Sequence, residues 1–420
     1  MARPLTETAR ERFLASSPGS RALYERALGS LPGGNTRTTV FHDPYPVYLV
    51  RGEGCRVTDV DGVERLDFIS NYTSLVLGHC HPRVVEAVQR QAAALASAAA
   101  PSELEVELAE RIRERLPSVE RLRFCNSGTE ATMLALRAAR AFTGRSTIGV
   151  FAGGYHGSHD LAASIPAQAG EPPGAPGVPE ALARTLVVCP FDGVEGTRAA
   201  LVPRLDDLAA VIVEPVLGSG GVLPASPEFL AFLRELTREA GALLVFDEVI
   251  SFRIGYHGAQ GRLGVTPDLT TLGKIIGGGL PVGAFGGRAD VLELFDPRRP
   301  DRIGHGGTFN ANPLTMAAGL AVLDELRPAV YERLERLTAE LCDAVAALFF
   351  ERGAVGAVTR SGSLFNLHLE RSAELHLALL GNGVLFTPRG FGCLSTPMTE
   401  AETGAFVDAL ARSLDELALA

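Results

Sequence analysis

Lysine is almost absent. Of the 39 lysines and arginines among 420 residues, only Lys274 is a lysine. A coding bias toward arginine accounts for the rest but not for this exception. Where only positive charge is needed the chain uses a guanidinium. A lone primary amine therefore points to chemistry that arginine cannot do, namely losing a proton and attacking a carbonyl. Long apolar runs are also missing. The alanine-rich stretch 92–100 is far too short to span a bilayer. Arg3, Glu7, Arg10, Glu11 and Arg12 precede any apolar run, so no signal peptide is expected. The six cysteines (55, 80, 125, 189, 342 and 393) include no close pair and read as free thiols of a reducing cytoplasm. No block rich in Lys or Arg offsets the net charge of −10, which makes a poor nucleic-acid binder.

What is present is an alternation. Apolar runs at Arg121–Cys125, Thr147–Phe151, Thr185–Cys189, Ala210–Val213, Leu243–Asp247, Asp268–Leu272 and Val282–Gly286 read as seven strands. Amphipathic segments such as Thr129–Phe142 and Pro227–Ala240 lie between them. This pattern predicts an α/β fold with a mostly parallel sheet sandwiched by helices. The length exceeds what one hydrophobic core supports, so two domains are expected. We assign 60–325 to a large domain, and 1–59 with 326–420 to a smaller α+β domain built from both chain ends. Two long helical patterns (about 328–352 and 399–418) flank strands near 360–370 and 384–396. The Pro- and Gly-rich stretch Ala167–Pro179 is the candidate mobile loop.

Three motifs could carry chemistry. In Cys125–Ala131 (CNSGTEA) a strand gives way to a helix, so unpaired N–H groups and the positive end of the helix dipole meet at Ser127, Gly128 and Thr129. That suits a phosphate, although an ordinary helix cap looks the same. In Leu243–Val249 (LLVFDEV) an apolar strand ends in two acids. Asp247 could there pair with a protonated ring nitrogen, while a salt bridge or metal site is the plain alternative. In Pro267–Arg288 the sole lysine ends a strand and precedes three glycines, which admit a flat ring close to the backbone.

These strings, with GGYHG (153–157), EPV (214–216), LPGG (31–34), VTDVDG (57–62) and LGHCHP (77–82), resemble the class III aminotransferases of the fold-type I pyridoxal-5′-phosphate (PLP) enzymes. The likeness runs from about 30 to 400. It is strongest to the branch holding glutamate-1-semialdehyde 2,1-aminomutase and the β-phenylalanine (β-amino acid) aminotransferases. The resemblance implies that Lys274 is the Schiff-base lysine and proton shuttle, and that Asp247 pairs with the pyridinium nitrogen. It further implies that Tyr155 stacks on the ring, Val249 packs on its other face, and Ser127, Gly128 and Thr129 hold the phosphate. Glu214 would sit near the cofactor, with ordinary loop structure as its alternative. Thr308 would reach the phosphate of the neighbouring subunit, making the enzyme a homodimer with shared sites.

Two arginines are candidate ligands for a substrate carboxylate: Arg37 after LPGGNT, and Arg389 in TPRGFG. Tyr72 corresponds to an aromatic wall, with core packing as its alternative. The aminomutase pattern differs around Arg389 and carries its arginine a few residues after the position of Arg37. A transaminase must admit a second acid, so the extra arginine favours transfer from a β-amino acid to a 2-oxo acid such as 2-oxoglutarate or pyruvate, with an intramolecular aminomutase as the alternative. No metal is expected. His79 and His81 lack a third ligand with zinc-like spacing, the His156/His159 pair is no better, and Cys125 reads as buried and inert.

Overall fold

Seven short apolar runs form the central sheet of residues 82–332 in the computed structural model, which describes residues 5–417. Across the sheet the order is Arg121–Cys125, Gly283–Gly287, Leu269–Gly273, Leu243–Asp247, Leu208–Val213, Thr147–Phe151 and Leu186–Cys189. Gly283–Gly287 runs antiparallel to both of its neighbours, and every other pairing is parallel. All seven expected strands are present within two residues of their expected ends.

Alternate side chains on these strands enter two separate cores, which is why the strands read as continuous apolar runs. Ala210, Ile212, Leu243 and Val245 pack with Ala131, Leu134 and Ala138 of the helix Gly128–Thr143. Val211, Val213, Leu244 and Phe246 pack with Phe229, Leu230 and Leu233 of the helix Pro227–Ala240. A sheet covered on both faces leaves its strands no polar side. Residues 167–179 contain no helix or strand.

The second unit combines 1–81 with 333–420. Its four-stranded sheet runs Leu49–Glu53, Arg56–Asp59, Glu64–Asp67 and Val384–Leu385, and a three-stranded sheet joins Gly356–Ser361, Leu364–Leu369 and Phe391–Cys393. Glu64–Asp67, which the expected boundary at residue 59 left with the large domain, pairs in parallel with Val384–Leu385. A strand's partner is set by long-range pairing, which hydropathy does not show.

This unit also packs two histidines edge to face. His42 and His376 have ring centroids 4.4 Å apart, and His42 Nδ1 and His376 Nε2 are buried without a partner. Burial, and secondarily the nearby Arg65 charge, lowers His42 to about 4. Burial also lowers His376 well below its ordinary value, with His42 and Arg65 adding to it while the bond to the Phe386 carbonyl opposes it. Unfolded histidine titrates near 6.5, so between pH 6.5 and 4 the unfolded chain binds more protons and stability falls as pH falls. His42 alone contributes about 3 kcal/mol that is complete above pH 6.5 and gone near pH 4. A His42→Phe variant should therefore show a shallower loss of urea midpoint between pH 7 and 4.5 than the native chain. Parallel curves would remove His42 from the acid response.

Candidate active site

The side chains expected to carry chemistry collect where parallel strands of the large unit end. Asp247 is the last residue of Leu243–Asp247, Glu214 follows Leu208–Val213, and Lys274 follows Leu269–Gly273. Tyr155 and His156 stand in the turn after Thr147–Phe151, and Ser127 follows Arg121–Cys125. The carboxyl edge of an open α/β sheet is where such folds bind ligands.

Asp247 is buried and hydrogen-bonded through both oxygens, with acceptor capacity to spare. Its Oδ1 accepts from Thr271 Oγ1 at 3.0 Å and from the Val249 amide at 3.1 Å, and its Oδ2 lies 2.7 Å from His156 Nδ1. Burial would lower His156, but its hydrogen bond to Asp247 and the charges of Asp247 and Glu214 outweigh that and raise it. Glu214 Oε2 accepts from the Tyr155 amide at 2.9 Å and Oε1 from the Gly218 amide at 3.3 Å. Burial pushes Glu214 up to about 7; Asp247 adds to the rise, and His156 opposes it. Lys274 is lowered by burial, against the pull of Asp247 and Glu214. The sole amine is thus shifted toward its neutral, nucleophilic form. Lys274 also has φ +49, a left-handed conformation that costs a non-glycine residue about 1–2 kcal/mol.

The segment expected to form the phosphate cup is a helix start. Ser127 caps Gly128–Thr143, its Oγ accepting from the Glu130 amide at 3.2 Å, so the plain reading of this serine holds in part. Its hydroxyl hydrogen and the first helical N–H groups remain for an anion. Two glycines keep the cup open. A Cβ on Gly128 would lie 3.0 Å from Val249 Cγ1. One on Gly157, at φ +99, would lie 2.5 Å from Thr129 Oγ1. Tyr155 is 53 % exposed, which leaves its ring face available. A lone amine whose proton burial loosens, a buried carboxylate braced by a histidine, an open ring face and a cup of N–H groups are the donor set that PLP requires.

Thr308 is exposed in the loop before Pro313. That loop is tied to the helix start by Asn126 Nδ2 donating to Asn310 Oδ1 at 2.9 Å. Arg37, Tyr72 and Arg389 belong to the unit built from both chain ends. Arg37 Nη1 donates to Asn71 Oδ1 at 3.0 Å, and its guanidinium lies 5.9 Å from the Tyr72 ring centroid. Arg389 is exposed in a turn closed by Thr387 and Phe391, and among the described residues no hydrogen bond or ion pair joins it to Arg37 or Tyr72.

Sequence reasoning set His156 aside with His159 and so missed its contact with Asp247, 91 residues away. Its place beside Tyr155 was the only local signal. His79 Nε2 bonds Asp67 Oδ2 at 2.7 Å. Among the described residues no group of His, Cys, Asp and Glu could hold a metal. Cys125 is buried, which pushes its thiol up to about 12.

Residues 38–402 match the family described as aminotransferase class-III. The chain belongs to this family. Its members use PLP, and the protein is an enzyme of fold type I. It is 44% identical over 396 residues to a glutamate-1-semialdehyde 2,1-aminomutase of Sorangium cellulosum, covering 89% of this chain and 90% of the relative. It is 41% identical over 420 residues to a beta-phenylalanine transaminase of Variovorax paradoxus, covering 95% and 93%. The solved omega-transaminase from Sphaerobacter thermophilus superposes with a TM-score of 0.92 at 48% identity, covering 96% of this chain and 99% of that one.

Proposed function

We propose that this class-III enzyme transfers the amino group of a β-amino acid of the β-phenylalanine type to a 2-oxo acid such as 2-oxoglutarate or pyruvate. It works in two half-reactions, so the donor leaves as its 3-oxo acid before the acceptor enters. The observation that carries the substrate class is Arg37, an exposed guanidinium held in place by Asn71 and Tyr72. A planar fork suits a carboxylate. Arg389 supplies a second cation for the acid of the other half-reaction. Similarity to the β-phenylalanine transaminase supports the same reading.

Bound PLP supplies an electron sink and carries the amino group between the two half-reactions. The chain's residues do the rest. Asp247, braced by His156, holds a proton at the ring nitrogen. Ser127, Gly128 and Thr129 anchor the phosphate, and Tyr155 and Val249 confine the ring between them. Glu214 fixes the Tyr155 backbone, and Lys274 Nζ takes and returns the proton of the amino-bearing carbon. Thr308 reaches the phosphate in a partner subunit, which makes the working unit a homodimer. Among the described residues no helix is long and apolar enough to cross a membrane, and all six cysteines are unpaired, as suits a cytoplasmic enzyme.

The aminomutase of Sorangium cellulosum favours a second reading, intramolecular transfer within glutamate-1-semialdehyde. Holoenzyme given β-phenylalanine and 2-oxoglutarate or pyruvate should form glutamate or alanine, with no product when the 2-oxo acid is left out. Turnover of glutamate-1-semialdehyde without an acceptor, and none of β-phenylalanine, would decide for the mutase.

A further inference from the structure

The turn Ser70–Thr73 is unusual. Four successive non-glycine residues have positive φ, at 47, 47, 52 and 76°. Only asparagine among them adopts this region readily. The turn is nevertheless held firmly. Asp67 Oδ1 accepts from the Ile69 amide at 2.8 Å and the Ser70 amide at 2.9 Å, and His79 secures Asp67 Oδ2. The Thr73 amide returns to the Ile69 carbonyl at 3.0 Å, and Ser74 Oγ donates to the Asn71 carbonyl at 3.0 Å. Backbone strain persists where surrounding structure over-determines it, and such places are often functional. What this turn presents is Asn71 Oδ1 to Arg37 Nη1, and the Tyr72 ring to the same guanidinium. Tyr72 hydroxyl donates to the Thr39 carbonyl at 2.5 Å, and Asn35 Oδ1 accepts from the Arg37 amide at 2.9 Å. The arginine is therefore fixed at its backbone, at one nitrogen and near one face.

We infer that Asn71 and Tyr72 are positioning residues that pre-orient Arg37 for a substrate carboxylate. The inference rests on the reading of Arg37 as the carboxylate ligand. With Nη1 committed to Asn71, the Nε–Nη2 edge stays available for two parallel bonds to a carboxylate. An arginine held this way has less rotamer freedom to lose on binding, so the fold rather than the ligand supplies the ordering. Tyr72 thereby acts through Arg37 and not as a simple wall.

The test is calorimetric titration of PLP-loaded enzyme with 3-phenylpropanoate and with its neutral analogue 3-phenylpropanamide, so that turnover is not needed. Asn71→Gly keeps a residue that favours positive φ while removing the acceptor. It should weaken 3-phenylpropanoate about tenfold and leave the amide unchanged. Tyr72→Phe, which removes the bond to Thr39, should act in the same direction with a smaller effect. Arg37→Ala should weaken the acid at least as much, and adding Asn71→Gly to it should change nothing further. With β-phenylalanine the Asn71→Gly enzyme should show the loss in KM and not in kcat. If Arg37→Ala weakens the acid but Asn71→Gly does not, the positioning role is overturned and the carboxylate reading survives. Equal weakening of acid and amide by Asn71→Gly also overturns it. An unchanged acid affinity in Arg37→Ala removes the carboxylate reading and this inference together.

Discussion

Lys274→Ala should lower kcat by at least about 10⁴-fold, because the proposed mechanism uses one amine as both nucleophile and proton carrier. No second lysine exists to replace it. Part of the activity should return on adding a small primary amine such as methylamine, which enters the space the side chain vacates. A loss below tenfold would place the proton transfer on another group. The same residue makes a prediction about stability. Burial lowers Lys274 below its unfolded value near 10.5, so the folded state binds fewer protons, and stability from this group is full only above that value and falls as pH falls. At pH 7 the native apoprotein therefore bears a net penalty for this amine. Lys274→Met, which has similar length and no charge, should raise the melting temperature of the apoprotein. A lower melting temperature would mean that the attraction of Asp247 and Glu214 outweighs desolvation.

Asp247→Asn is the second large effect. The amide can keep the contacts to Thr271 and Val249 while removing the negative charge. We expect kcat to fall about 10²–10³-fold, the range seen when a pre-organised electrostatic partner of the reacting group is lost. PLP should still bind, since the proposed phosphate cup is untouched. His156→Gln should cost far less, about tenfold, because histidine braces Asp247 without touching the reacting atoms. If both variants lose activity equally, the geometry of the pair matters more than the charge of Asp247. Steady-state kinetics on the two holoenzymes distinguishes these cases.

The positions of the seven strands, the acid that ends Leu243–Asp247 and the chemical singularity of Lys274 were legible in the chain itself. Each is a local signal: an apolar run a few residues long, a charge closing it, a residue type used once. So was the helix start at Gly128, since strand, small residues and amphipathic pattern follow one another directly. The tertiary structure alone joined His156 to Asp247 across 91 positions and Arg37 to Asn71 across 34, and it alone paired Glu64–Asp67 with Val384–Leu385. It also shifted Glu214 up to about 7, first through burial. The division has one physical cause. Periodicity and composition reflect what each segment does along its own length, whereas hydrogen-bond partners, left-handed turns and desolvation depend on which segments the fold makes neighbours.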